Sequence, residues 1–221
     1  MSNQVHCRRP VRNLTLTGCF AAVLGGLILF LCLVCVSVTV TLNFRPLYYL
    51  DMKLLHISDI SGYSNDVIRK NFDALIRYNN IWHTGILNFP DFSMSESGRI
   101  HFEEVKKVFS VFEYGALILI PLSAVEIIAA KKKRFGSLFA AAGIISVGIP
   151  ASLGLLIAAN WEWVFITFHK LVFQNDYWLF DPYTDPVITI LPDEFFMHCA
   201  ALIMILVLAG SLAFFAAWKK L

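Results

Sequence analysis

Residues 13–44 read NLTLTGCFAAVLGGLILFLCLVCVSVTVTLNF, 32 consecutive positions without a charged side chain. A helix needs about 20 apolar residues to cross the hydrocarbon core of a bilayer, so this run is long enough to span it. Two further runs behave alike, because residues 135–161 and 195–218 are charge-free over 27 and 24 positions. A fourth stretch, Val111 to Ala130, has the length but carries Glu113 near one end and Glu126 near the other. Both acids fall close to an end, so the stretch reads as a span whose carboxylates reach the headgroups rather than the bilayer midplane. Of the 221 residues, 57% are hydrophobic and only 15% charged, which excludes a water-soluble domain.

The net charge of +2 is too near balance to imply a nucleic-acid partner, and none is expected. Position carries more information than sum. Arg8, Arg9 and Arg12 precede the first span, Lys131, Lys132, Lys133 and Arg134 separate the second from the third, and Lys219 and Lys220 follow the fourth. None of these short segments holds an acid, so by the positive-inside rule all three are cytoplasmic. The expected organisation is a cytoplasmic tail (1–13), spans at 14–42, 111–130, 137–159 and 195–218, a cytoplasmic loop (131–136) and a last tail (219–221). Residues 43–110 and 160–194 then lie outside. The fold class is an all-α membrane protein, with four transmembrane helices and a mainly helical extracytoplasmic cap.

The first span is too long for a cleaved signal peptide. Leu16-Thr17-Gly18-Cys19 spells a lipoprotein-processing box, but such a box follows an apolar stretch and here the stretch comes after it. Cys7, Cys19, Cys32, Cys35 and Cys199 all fall outside the two exterior segments, so no disulfide is expected to hold the cap together. Cys32-Leu-Val-Cys35 has zinc-site spacing without a second pair and reads as packing within hydrocarbon.

Within 43–110 one helix is plain. Ser64 is an N-cap, Val67, Ile68, Phe72, Leu75 and Ile76 share one face, and Asn79-Asn80 ends it. Tyr48 to Ile57 reads as a short strand or hairpin, and His83-Thr-Gly and Asn88-Phe-Pro-Asp91 as turns. From Ser97, Phe102, Val105, Val108, Phe109 and Phe112 recur at helical spacing without a breaker, so this helix starts outside and runs into the second span. That places His101 near the headgroup level. The second exterior segment is crowded with aromatics, including Trp161, Phe168, Phe173 and Trp178, around His169, Asn175, Asp176, Asp181 and Asp185. An aromatic belt at the interface accounts for the rings but not for the polar groups among them.

Familiar catalytic patterns are absent: no G-x-S-x-G elbow, H-E-x-x-H pair or Walker loop occurs, and no histidine has an aspartate four residues on. An enzyme built from these residues would rely on a nucleophile brought by the substrate, with His, Asp or Glu moving protons. Of the six histidines, His6, His56 and His83 read as solvated or structural, and His198 leans the same way. His101 and His169, each beside a phenylalanine in a segment adjoining a span, stay open between a chemical and a structural place. A metal centre from His101, Glu104, His169, Asp176, Asp181 and Asp185 is disfavoured, because the Asp-Pro pairs read as turns and Glu103-Glu104 as part of a solvated face.

Three blocks, Asn71-Phe-Asp-Ala-Leu-Ile-Arg-Tyr78, the run Ser95 to Lys106 (SESGRIHFEEVK) and the run Phe168 to Phe196 (FHKLVFQNDYWLFDPYTDPVITILPDEFF), resemble the bacterial integral membrane family of lipoprotein intramolecular transacylases, Lit. The resemblance implies a four-helix membrane enzyme with an extracytoplasmic cap and two catalytic histidines at the cap–membrane interface, carried here onto His101 and His169. No metal or cofactor is expected. The implied reaction moves the sn-2 acyl chain of a diacylglyceryl-cysteine lipoprotein to that cysteine's own amino group, giving the lyso form. The partners implied are the diacylated lipoprotein N-terminus and membrane lipid. Asn175, Asp176 and Trp178 are then orienters of His169 or pocket walls. Trp161, Phe168 and Phe173 belong to an aromatic wall, and Arg99 meets a headgroup or peptide or stays on the surface. Two rivals remain at this point: a lipid hydrolase or acyltransferase of the same fold, and a non-enzymatic assembly or transport protein.

Overall fold

A computed structural model describes residues 15–221 of the chain, so the basic cluster Arg8, Arg9 and Arg12, together with His6 and Cys7, lies outside the described residues. Eight α-helices follow in order: α1 (Leu16–Asn43), α2 (Arg45–Leu54), α3 (Ile57–Ser61), α4 (Asn65–Asn79), α5 (Glu96–Lys133), α6 (Gly136–Ala159), α7 (Trp161–Val172) and α8 (Asp193–Lys220). A 3-10 turn, Pro186–Ile190, precedes α8. Four of these, α1, α5, α6 and α8, are long and apolar enough to cross a membrane.

Local chemistry sets several helix starts. Thr15 Oγ1 accepts from Gly18 N–H at 3.2 Å, Ser95 Oγ from Gly98 N–H at 3.0 Å and Asn160 Oδ1 from Trp163 N–H at 2.9 Å, each satisfying a donor the first turn leaves free. Ser64 caps α4, the helix legible from its apolar face. In the bundle α1 packs against α5, α6 and α8, and α6 lies along α8. Close approach depends on small residues: a Cβ at Gly26 would stand 2.7 Å from the Ala142 backbone nitrogen, so a side chain there would force α1 and α6 apart. Outward-facing Val111, Ile118, Val125, Ile144, Leu155, Ile205 and Leu212 remain exposed, as lipid-facing surfaces must.

With 38 residues at about 1.5 Å each, α5 is roughly 57 Å long, nearly twice a hydrocarbon core of about 30 Å. Its first turns therefore project beyond the bilayer and form one wall of a cap with α2, α3, α4, α7 and the loop 173–192. At the opposite end of the bundle Arg134 Nη2 donates to the Leu221 carbonyl at 3.5 Å, gathering the two remaining basic clusters together.

Two expectations are corrected here. The segment Tyr48 to Ile57 is not a strand: α2 occupies Arg45–Leu54 with Pro46 in its first turn, and a short helix begins at Ile57. Its apolar residues do not alternate but sit four apart, Tyr48 and Met52 both facing the cap core, and Tyr48 stacks on Phe72 with ring centroids 3.6 Å apart. Packing overrides the β preference of the tyrosines. Glu113, expected to reach the headgroups, is instead 5% exposed and accepts from the Ile81 backbone N–H at 2.9 Å, so it turns inward to fasten the cap loop. Glu126 likewise faces Gly25 of α1.

The cap has its own core, in which Phe72, Phe195 and Tyr48 pack edge and face, and Tyr48 donates from its hydroxyl to the Ile190 carbonyl at 2.7 Å. Asn71, fully buried, pairs twice with Asp91: its Nδ2 donates to the carboxylate at 2.9 Å and its Oδ1 accepts from the Asp91 N–H at 3.2 Å. The turn-rich connection from α4 to α5 is thereby pinned to α4.

Candidate active site: two imidazoles in an aromatic wall

His101 stands in the second turn of α5 and is 5% exposed. Rings enclose it: Phe173 at 4.7 Å and Phe180 at 5.4 Å meet it edge-on, and Phe102 lies 5.9 Å away. His101 Nδ1 is buried with no hydrogen-bond partner. Burial in this apolar shell disfavours the charged imidazolium, and a neighbouring histidine adds repulsion, so the pKa falls from 6.5 to about 4.

That neighbour is His169, in the last turn of α7. The ring centroids of His101 and His169 are 6.2 Å apart and the planes 28° off parallel. His169 Nδ1 lies 2.7 Å from the carbonyl oxygen of Phe165, one turn back on the same helix. A carbonyl can only accept, so Nδ1 carries the hydrogen and Nε2 is left with the lone pair. Burial lowers the pKa of His169 as well, and the Phe165 carbonyl opposes that by favouring the proton. Phe165 at 4.2 Å, Trp178 at 4.8 Å, Phe168 at 5.5 Å and Phe173 at 5.7 Å surround the ring.

The remaining sequence candidates fall into place unevenly. Phe168, Phe173 and Trp178 line the pair, whereas Trp161 sits behind Phe165 at 5.7 Å. Asn175 is hydrogen-bonded to Glu104 rather than to His169, its Nδ2 donating to both carboxylate oxygens at 2.9 and 3.2 Å. Asp176 is exposed, and its backbone carbonyl, rather than its carboxylate, is engaged, by the Leu179 N–H at 3.0 Å. Arg99 is held by Glu96 and Glu103 on its own helix, not by either histidine. His198, on α8, is paired through Nδ1 with the buried Asp51 at 2.9 Å.

Two supporting groups were undervalued by sequence reading. Glu104 lies one turn from His101, and its bond to Asn175 ties α5 to the chain just past His169. Asp185, read as a turn former, is 2% exposed; Oδ1 accepts from the Ser95 N–H at 2.8 Å and Oδ2 from Thr184 Oγ1 at 2.7 Å. It anchors the loop carrying Phe180 and Trp178 to the start of the helix that carries His101, and a Cβ at Gly98 would collide with its carboxylate. The shared face of His101 and Glu104 was the available signal for the first; nothing local marks the second.

Among the described residues no three His, Cys, Asp or Glu side chains converge as a metal would require. Among the described residues neither imidazole is hydrogen-bonded to a serine, threonine or cysteine.

A family model described as lipoprotein intramolecular transacylase Lit matches residues 23–196. No curated protein matches the chain. Among solved structures, the membrane integral lipoprotein intramolecular transacylase Lit from Bacillus cereus is 32% identical, with a TM-score of 0.88 over 92% of this chain and 95% of that one. Two structures of that protein with one histidine replaced, by arginine or by alanine, are also 32% identical, each with a TM-score of 0.83; they cover 92% and 93% of this chain and 91% and 93% of theirs. With a family match over most of its length and the same fold at that identity, the chain belongs to the Lit family of membrane-integral intramolecular transacylases and is an acyltransferase.

Proposed function

We propose that this protein moves the sn-2 acyl chain of a diacylglyceryl-cysteine lipoprotein to the amino group of the same cysteine, with His101 and His169 as the catalytic pair. The carrying observation is the 6.2 Å separation of two imidazoles, His101 buried and His169 half-buried, close enough for one reacting centre to touch both. Both resist protonation near neutrality, which suits a base for an amine.

The roles follow from the tautomers. An α-amino group with a pKa of about 7.7–8.0 is roughly 10–20% unprotonated at pH 7, so the nucleophile is present before any enzyme acts. That amine attacks the sn-2 ester carbonyl, forming the C–N bond and an oxyanion. His169 Nε2, its lone pair exposed by the Phe165 bond, takes the proton that nitrogen sheds. A buried Nδ1 without a partner costs less bare than as an N–H, so the hydrogen of His101 belongs on Nε2, where it is a donor for the oxyanion. As the C–O bond breaks, the His169 imidazolium returns its proton to the departing glyceryl oxygen. One hydrogen has moved from nitrogen to oxygen and both histidines end as they began.

Because nucleophile and ester belong to one molecule, folding the glyceryl chain back supplies the effective concentration. Phe165, Phe168, Phe173, Phe180 and Trp178 hold the acyl chains and keep out the water that would hydrolyse the ester. This reading sets the cap, residues 43–110 and 160–194, on the extracytoplasmic face with both termini cytoplasmic. The basic clusters at the far end of the bundle support that orientation. The test is mass spectrometry of lipoprotein N-termini from a host with and without the protein. Appearance of N-acyl, monoacylglyceryl cysteine is expected, and unchanged N-termini would reject the reading.

A further inference from the structure

A second recess lies on the other side of α5. It has a volume of about 850 Å³ and runs between the cap loop 83–86 and the α5 face that includes Lys107, Val111, Tyr114 and Ile118. At about 100° per residue, Lys107, Ser110, Tyr114 and Ile118 sit roughly 180–260° around the helix from His101, so these four lining residues face away from the imidazole pair.

Its chemistry changes with depth. At the top are cations and at the bottom hydrocarbon: Val111, Tyr114 and Ile118 are all exposed in the apolar part of the helix. From Lys107 to Ile118 the helix rises about 16 Å, which matches the roughly 15 Å of one leaflet's hydrocarbon. The loop that forms the upper lip presents Ile86, 73% exposed, next to Trp82, 75% exposed, the residue types that settle at headgroup level.

The charges at the rim leave one cation over. Glu103 is paired with Arg99, and Lys106 is committed to the His83 carbonyl at 2.7 Å and to the face of Tyr78, 4.5 Å from its centroid. Lys107 is exposed and, among the described residues, paired with no carboxylate. A single free ammonium above a leaflet-deep apolar channel complements a phosphodiester attached to an acyl chain.

The geometry points to a bound glycerophospholipid here, its phosphate at Lys107 and one acyl chain laid along Val111, Tyr114 and Ile118. This site is separate from the transacylation chemistry and stands whether or not the lipoprotein reading holds. The lipid fills the gap between cap loop and α5, so the loop rests on lipid at this side and on Glu113 at its root.

The test uses the full protein in phosphatidylcholine vesicles doped with phosphatidylglycerol carrying a diazirine near the end of one acyl chain. After illumination, peptide mass spectrometry compares labelling of residues 111–118 with that of 205–212, an equally lipid-exposed stretch of α8. Labelling concentrated on 111–118 is expected, reduced about five-fold in Lys107→Glu, the factor corresponding to roughly 1 kcal/mol per interfacial lysine. Ile118→Trp, which fills the lower channel from a lipid-facing position, lowers it independently of charge. A diacylglycerol bearing the same diazirine but no phosphate labels the two stretches alike. Equal labelling of both stretches by the phospholipid, or labelling of 111–118 indifferent to Lys107→Glu and Ile118→Trp, would overturn the assignment.

Discussion

Phe173→Ala removes the one ring that, among the described residues, packs against both histidines, 4.7 Å from His101 and 5.7 Å from His169. The side chain is 6% exposed, so its loss opens a channel for water into the dry shell. His101 then recovers hydration, and its pKa climbs from about 4 back toward 6.5. At about 1.4 kcal/mol per factor of ten, that full range amounts to roughly 3 kcal/mol from burial and His169 repulsion together, an upper limit for the variant because His169, Phe180 and Phe102 remain. Two readouts follow, using purified protein and a synthetic diacylglyceryl-cysteine peptide. The wild-type pH profile of kcat/KM rises with pH as the substrate amine deprotonates, and loss from His101 protonation enters only well below 6.5, near its pKa of about 4; in Phe173→Ala that acid limb moves up toward 6.5. The admitted water also competes with the amine, so the variant releases free fatty acid that the wild type does not. An unchanged acid limb together with no released fatty acid would refute the claim that burial in this wall tunes the pair.

Three further outcomes rest on other contacts. Asn175→Ala leaves the Glu104 carboxylate without its donor and costs about 1–3 kcal/mol; it lowers kcat more than it changes KM, measured by initial rates, while Asn175→Asp, placing two carboxylates together, does worse. Asp185→Ala strips the Ser95 N–H of its partner and loosens the Trp178 loop, also costing about 1–3 kcal/mol, read as a lowered Tm in detergent. Because the folded pKa of His101 lies below its unfolded value, the unfolded chain takes up the proton first. Stability is full above about 6.5 and is lost progressively as pH falls toward about 4, and His101→Gln flattens that part of a thermal-shift titration.

The four crossings were readable because hydrocarbon admits so few sequences: runs such as 13–44 permit little else. Helix α4 was readable for another reason, since Ser64 and a 3.6-residue apolar rhythm act locally. Local signals fail where the partner is distant. Tyr48 and Tyr49 favour strand by preference, yet α2 forms because Tyr48 finds Phe72, and the inward turn of Glu113 depends on Ile81 lying 32 residues away. The site divides in the same way. The crowding of aromatics around His169 was visible, but its adjacency to His101 depends on α7 folding back against the outer end of α5. Residue spacing left both histidines open, and only the family resemblance singled them out. Glu104 and Asp185 act through partners 71 and 90 residues off, beyond what spacing reveals.

The most direct trial of the central proposal is a comparison of His101→Ala, His169→Ala and the double variant in vesicles, with the synthetic diacylglyceryl-cysteine peptide as substrate and its N-acyl, monoacylglyceryl product counted by mass spectrometry. If the imidazoles act as one proton-relaying unit, each single variant loses about 10²–10⁴-fold, the double variant loses little more than either, and all three remain inserted in the membrane. Transfer that persists in both single variants would contradict the account.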